Sequence, residues 1–208
     1  IVKHEERGSV TQRFAVGCLQ KISSWKFAAG EFIGQNMVQW LVQFLEELVK
    51  DKDSNSFLLT YCAALVTNIL GQKQVQQFLE QNENLFVLII ESLTGLLKVD
   101  HSHQTLQYVL MDLFIILQNV DTASMKNFDR SAIHLKVKQF KNALAESEEA
   151  KDGLLDSMKT STLDLCDKIV TEEELPIDKL ASIVRQEESG KKEQELVFES
   201  FPDEIVAQ

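Results

Sequence analysis

Residues 37 to 49 read MVQWLVQFLEELV, and apolar positions run almost all the way round the helix they would form. Val38, Leu41, Val42, Leu45 and Leu48 fall on one face at helical spacing, and Met37, Trp40 and Phe44 make a second apolar row beside it. Gln39, Gln43 and Glu46 or Glu47 leave a narrow polar stripe. A helix lying on a protein surface keeps a wide polar face, so this one is covered on two or three sides, with Trp40 inside and Gln39 in water. Stacked helices provide such cover in a soluble chain.

The same pattern recurs. Residues 84 to 97 read NLFVLIIESLTGLL, and a shift of 48 puts Trp40 on Leu88, Leu41 on Ile89, Val42 on Ile90 and Leu45 on Leu93. The lead-ins correspond as well, Gly34-Gln35-Asn36 falling on Asn82-Glu83-Asn84, and Gly and Asn tolerate the left-handed backbone of a sharp turn. Before each long helix lies another apolar one: AVGCLQKIS (15 to 23) parallels AALVTNILG (63 to 71), with Lys21 over Asn68 at a shift of 47. DLFIILQNV (112 to 120) is a third copy after a further shift of about 48. KFAAGEFIG and KQVQQFLEQ are short helical connectors that end in the apolar pairs Phe32-Ile33 and Phe78-Leu79.

A period near 47 residues, built from a small-residue helix, a short connector and a long apolar helix, marks an α-solenoid. FIGQNMVQWLVQFL and TNILGQKQVQQFLEQNENLFVLIIESL resemble the armadillo repeat, closely over residues 9 to 98 and loosely over 103 to 145. The expected fold is an all-α, armadillo/HEAT-like solenoid of about three repeats over residues 1–145, with a C-terminal helical extension. In the third copy Ile133, Val137, Phe140 and Leu144 keep one apolar face while His134, Lys136, Lys138 and Lys141 occupy the other, as a capping repeat requires. LLDSMKTSTLDLCDKIV (154 to 170) is a further amphipathic helix with Leu155, Met158, Leu165 and Ile169 facing in. Pro176 can open a short helix carrying Ile177, Leu180 and Val184, which extends the capping helices over 146–187. Residues 188–208 are an acidic tail of low apolar content and low expected order, interrupted by Leu196, Val197, Phe198 and Phe201, a strip suited to docking on the solenoid or on another protein.

Composition narrows the function. Residues 141–208 carry 18 acidic and eight basic side chains, net −10, while residues 1–140 carry 14 and 13, net −1. That balance disfavours nucleic acid, whose phosphates need a basic face, and favours a basic protein partner. Apolar runs such as Leu85 to Ile90 fall far short of the roughly 18 residues of a membrane span. The chain begins at Ile1 and reads as a piece of a longer protein. Cys18, Cys62 and Cys166 are odd in number, far apart and without metal spacing, which points to a reducing compartment; Cys18 and Cys62 are expected as buried, structural thiols.

Catalytic signatures are missing: there is no Gly-rich phosphate loop, GxSxG, HExxH or CxxC. No cofactor and no metal is expected. Asp100-His101-Ser102-His103 has the residue types of a metal site, but its place in a loop between repeats makes a solvated loop the preferred reading. Many armadillo proteins hold extended peptides, and resemblance to the importin type implies an Asn on the last helix of each repeat with a Trp one turn earlier. Here those positions read Lys21, Asn68 and Ile116, and Gly17, Ala64 and Asp112. One Asn of three and no Trp weaken a nuclear-transport role. Asn68 and Lys21 remain candidate partner contacts, Asn68 being as well suited to a hydrogen bond inside the stack. Trp25, beside Phe27 in SSWKFAAG, is a partner anchor or, by the general habit of aromatics, a plug between helices. Phe198 and Phe201 complete the candidate partner-binding set.

SVTQRFAVGCLQKIS, MVQWLVQFLEEL and LLTYCAALVTNIL, followed by an acidic C-terminal segment, resemble in order the LisH-motif armadillo-repeat family of cilia and basal bodies, a likeness carried as far as Asp121. The resemblance implies a cytoplasmic, non-enzymatic scaffold whose partners are other ciliary and microtubule-associated proteins. The alternative from another class is a regulatory solenoid attached to an enzyme such as a protein kinase.

Overall fold

The computed structural model describes residues 9–25, 27–50, 56–120, 128–147 and 153–171, with Thr122 and Met125. Nine helices and no strand occur among them: α1 (Val10–Ser23), α2 (Ala28–Gly34), α3 (Met37–Lys50), α4 (Ser56–Leu70), α5 (Lys73–Glu80), α6 (Glu83–Gly95), α7 (His103–Asn119), α8 (Arg130–Glu146) and α9 (Gly153–Thr171). All belong to one compact unit running to Leu175. Pro176, its short helix and the strip with Phe198 and Phe201 lie outside the described residues.

The helices stack by class. α1, α4, α7 and α9 pack in one row, α3 and α6 in a second with α8 against α6, and the short α2 and α5 against each other. This is an armadillo-type solenoid: α2-α3-α4 and α5-α6-α7 are successive repeats, α1 stands where a last repeat helix stands, and α8 and α9 follow α7. The internal shift holds at the level of single side chains. Val38, Leu41, Val42, Phe44, Leu45 and Leu48 of α3 are buried, and so is every residue 48 positions on: Phe86, Ile89, Ile90, Ser92, Leu93 and Leu96. Each fully buried Leu or Ile contributes on the order of 2 kcal/mol of apolar transfer, so the two matching columns are a main source of cohesion between repeats.

Local chemistry sets the helix ends. Ser9 and Ser102 cap α1 and α7, each hydroxyl accepting a backbone N–H three residues on. Asn36 turns the chain from α2 into α3 at φ 52°, the left-handed conformation expected from the Gly-Gln-Asn lead-in. Asn82 stays at φ −129° and donates its amide instead to the Phe78 carbonyl at 2.7 Å. At Gly95 an added Cβ would come within 2.9 Å of Val49 Cγ1, so the glycine lets α6 approach α3 closely.

Three expectations change. Trp40 is half-buried, stacked on Phe44 with ring centroids 5.1 Å apart, because its row lies at the margin of the helix contact. Gln39 is also half-buried, and its Oε1 is enclosed without a hydrogen-bond partner, so the wet stripe of α3 reduces to Gln43, Glu47 and Lys50. Cys18 is exposed while Cys62 and Cys166 are buried, since α1 has a neighbour in its row on one side only among the described residues. The capping face of α8 is as expected, with Ile133, Val137, Phe140 and Leu144 all buried. On α9, Met158, Leu165 and Ile169 face in, and the Leu155 side chain lies outside the described set.

Candidate interaction surface

The row α1-α4-α7 is tied by polar contacts at one fixed sequence offset. Thr60 and Thr105 hydroxyls lie 2.7 Å apart, Thr67 Oγ1 lies 2.6 Å from Asp112 Oδ1, and Asn68 Nδ2 donates to Ser23 Oγ at 3.1 Å; each pair is separated by 45 residues. Because both members of the α4–α7 pairs advance together along the chain, the two helices run parallel. Asn68 Nδ2 also lies 2.9 Å from the Gln20 carbonyl, so its amide is engaged by α1. The third position of the expected Asn series, Ile116, is buried, and no ladder of outward amides forms.

Asp112 sits wholly inside this row. Burial pushes its carboxyl well above the usual carboxylate range, with the Thr67 hydrogen bond opposing. Thr67 has one hydroxyl hydrogen but two close oxygens, Asp112 Oδ1 and the Ala63 carbonyl at 3.1 Å, so the two acceptors compete for it. A single acid inside the apolar run VLMDLFIIL was the sequence signal for it.

The loop DHSH does structural work: Ser102 caps α7, and His103 is that helix's first residue. Burial lowers the His101 pKa, Asp100 opposing and Lys98 reinforcing the shift. Among the described residues no three His, Cys, Asp or Glu side chains are grouped to hold a metal. Burial foremost, with Asp167 beside it, pushes the Cys166 thiol up to about 12, and burial also raises Cys62, so neither supplies a thiolate near neutral pH.

Most of the large apolar side chains left in water among the described residues lie towards the first repeats. Trp25 and Phe27 stand out of the surface, 54% and 71% exposed, with ring centroids 5.5 Å apart; they do not plug the gap between α1 and α2. Phe57 and Tyr61 project from α4 at 68% and 39% exposure. Lys21 is exposed on α1. Phe57 and Tyr61 escaped the sequence reading, although one signal was available: Phe14, Tyr61 and Tyr108 recur at a spacing of 47 on the three helices of the row. Among the described residues no helix is long and apolar enough to cross a membrane.

Parallel repeat helices, a buried inter-repeat ladder and exposed aromatics define an armadillo-type solenoid. A family model described as "LisH domain-containing protein ARMC9, ARM repeats" matches residues 32–153, and the chain belongs to that family. The match runs from within α2 to the start of α9, so the likeness continues past Asp121, through α8. The family is one of non-catalytic repeat domains, and the chain is a protein-interaction domain. No curated protein and no solved structure matches it.

Proposed function

We propose that the chain acts as a non-enzymatic scaffold in a ciliary or basal-body assembly, binding protein partners through side chains exposed on its first repeats, Lys21, Trp25, Phe27, Phe57 and Tyr61. The observation that carries the reading is the placement of four large aromatics in water on the first repeats. Solvated aromatics are costly to keep and are the residues that anchor partner proteins. The LisH-motif family supports the ciliary setting, and the acidic last third of the chain supports basic, microtubule-associated partners. Asn68 contributes by fixing α4 against α1. Phe198 and Phe201 are proposed as a second, separate contact in the tail.

Proximity labelling in ciliated cells tests this, comparing the chain with a Lys21→Glu, Trp25→Ala, Phe27→Ala variant. All three side chains are surface-exposed or largely so, and the variant should melt within a few degrees of the parent. The expected result is a set of basal-body and ciliary proteins that the variant no longer labels. A set without ciliary proteins rejects the setting, and an unchanged set in the variant rejects the surface.

A further inference from the structure

Between the C-terminal end of α6 and α8 the stack is open. The closed version of the same contact lies one repeat earlier. There Gly95 of α6 sits so near α3 that an added Cβ would come within 2.9 Å of Val49 Cγ1, and Lys98 Nζ donates to the Val49 carbonyl at 3.2 Å. A shift of 48 carries Val49 to Leu97, Gly95 to Ala143 and Lys98 to Glu146. Each replacement works against closure: leucine and alanine are bulkier than valine and glycine, and a carboxylate has no hydrogen to give a carbonyl. Leu97 and Ala143 accordingly line a groove of about 620 Å³, with Val99 and Phe140 beside them on its apolar side. Lys98 and Lys136 also line it, opposed by Asp100. The surrounding helix runs against the charge of the chain, since residues 130–145 hold four basic and no acidic side chains in a chain of net charge −11. Arg130 and Lys141 are engaged within the fold, by the Leu117 carbonyl and Asp167, whereas Lys136 is exposed.

We infer that this groove binds a short extended segment of a partner protein in which an apolar side chain is flanked by acidic ones. The ligand is a protein segment because the domain family is one of protein interaction. Its apolar side chain lies against Leu97, Val99, Phe140 and Ala143, and a flanking carboxylate pairs with the Lys136 amine, an apolar surface with a few oriented polar groups being the usual make-up of a recognition groove. The size selects an extended chain. From Lys136 to Ala143 α8 advances roughly 10 Å at about 1.5 Å per residue, the length of about three extended residues. Spread over that length, the groove has a section of roughly 60 Å², too narrow for a helix about 10–12 Å across. The groove shares no residue with the aromatic surface proposed above, and the assignment does not depend on the ciliary setting.

Fluorescence anisotropy of the full chain with the labelled peptide EELFEE tests this. Binding should saturate, and Lys136→Glu and Ala143→Trp should each weaken it by roughly tenfold or more, the first by reversing the charge and the second by filling the apolar side. Both residues are exposed, so both variants should melt as the parent does. Lys138→Glu alters the same helix outside the groove lining and should change binding by less than about twofold. No saturation at about millimolar peptide overturns the inference. Equal weakening by Lys136→Glu and Lys138→Glu overturns it, since the contact is then charge alone, and so does undiminished binding of the peptide EESSEE. Co-sedimentation with phosphatidylserine vesicles that both lysine variants reduce alike overturns it in favour of a lipid surface. Binding that tightens about tenfold in a Phe198→Ser, Phe201→Ser chain overturns the partner assignment in favour of this chain's own acidic tail.

Discussion

The two ends of the stack treat water in opposite ways. Towards the C-terminal side α9 turns Met158, Leu165, Cys166 and Ile169 inward, and its exposed side chains from Asp156 on are polar. Lys141 of α8 pairs with Asp167, and the Lys159 amine, itself nearly buried, donates to the Ser147 carbonyl at 2.9 Å. At the N-terminal end α1 buries Gln12, Val16 and Ser23 but leaves Val10, Phe14, Cys18 and Ile22 outside. Among the described side chains α9 keeps one wet face, whereas α1 carries the pattern of an interior helix on the side away from α4. The lesson is that a repeat's sequence encodes its neighbours on both sides, whether or not both are in place.

The sharpest way to break this comparison is to charge both ends. Ile169→Asp on α9 should abolish cooperative folding, since an unpaired buried carboxylate costs several kcal/mol, comparable with the stability of a domain. Phe14→Asp on α1 should change stability by no more than about 0.5 kcal/mol and improve solubility. Thermal melts followed by circular dichroism decide it, and similar losses in both variants would mean that α1 is not an open edge.

A smaller effect separates the ends through the hydrogen bonds below them. Asn68→Ala removes the amide that holds Gln20 and Ser23 and should cost about 1–2 kcal/mol, most of it local to α1. Hydrogen exchange should quicken in α1 and stay unchanged in α7 to α9. Uniform quickening would show instead that the stack unfolds as one unit with no weaker end.

Between the ends, Asp112 gives a pH signature. Its folded pKa is raised, so the folded chain holds a proton that the unfolded chain releases above about pH 4. Stability is therefore lost as pH rises from the unfolded value towards the folded one. Asp112→Asn, which keeps an acceptor for the Thr67 hydroxyl, should remove this slope, leaving the variant more stable than the parent at pH 8 with a gap that narrows towards pH 4. Urea titrations across that range measure it; parallel pH profiles would contradict a protonated Asp112.

The smallest expected effect concerns the α3–α6 contact. Gly95→Ala gains helix propensity of about 1 kcal/mol but sets its Cβ against Val49 Cγ1, so the net change should lie within about 1 kcal/mol and be unfavourable. Adding Val49→Ala should remove the steric part in a double-mutant cycle, and a cycle showing no coupling would put the close approach in doubt.

The fold was legible early because the burial pattern of a helix is a local property repeated along the chain. The columns of α3 and α6 could be aligned residue by residue, and the pairs Leu41/Ile89, Val42/Ile90 and Leu45/Leu93 proved buried, while Trp40 is half-buried and Leu88 exposed. The capping face of α8 was readable for the same reason, as Ile133, Val137, Phe140 and Leu144 share a side by spacing alone. The surface was less legible. Cys18 and Trp40 were misjudged because a single helix says which residues share a side, not whether a neighbour covers that side. Asn68 showed its partners only once Gln20 and Ser23 had been brought across from α1. Asp112 showed its state only once Thr67 and the surrounding apolar helices enclosed it. The sequence by itself determined the elements, their period and the apolar sides, since these follow from the geometry of one helix. Only the tertiary structure decided which sides are filled, because coverage depends on chain segments some 45 residues away.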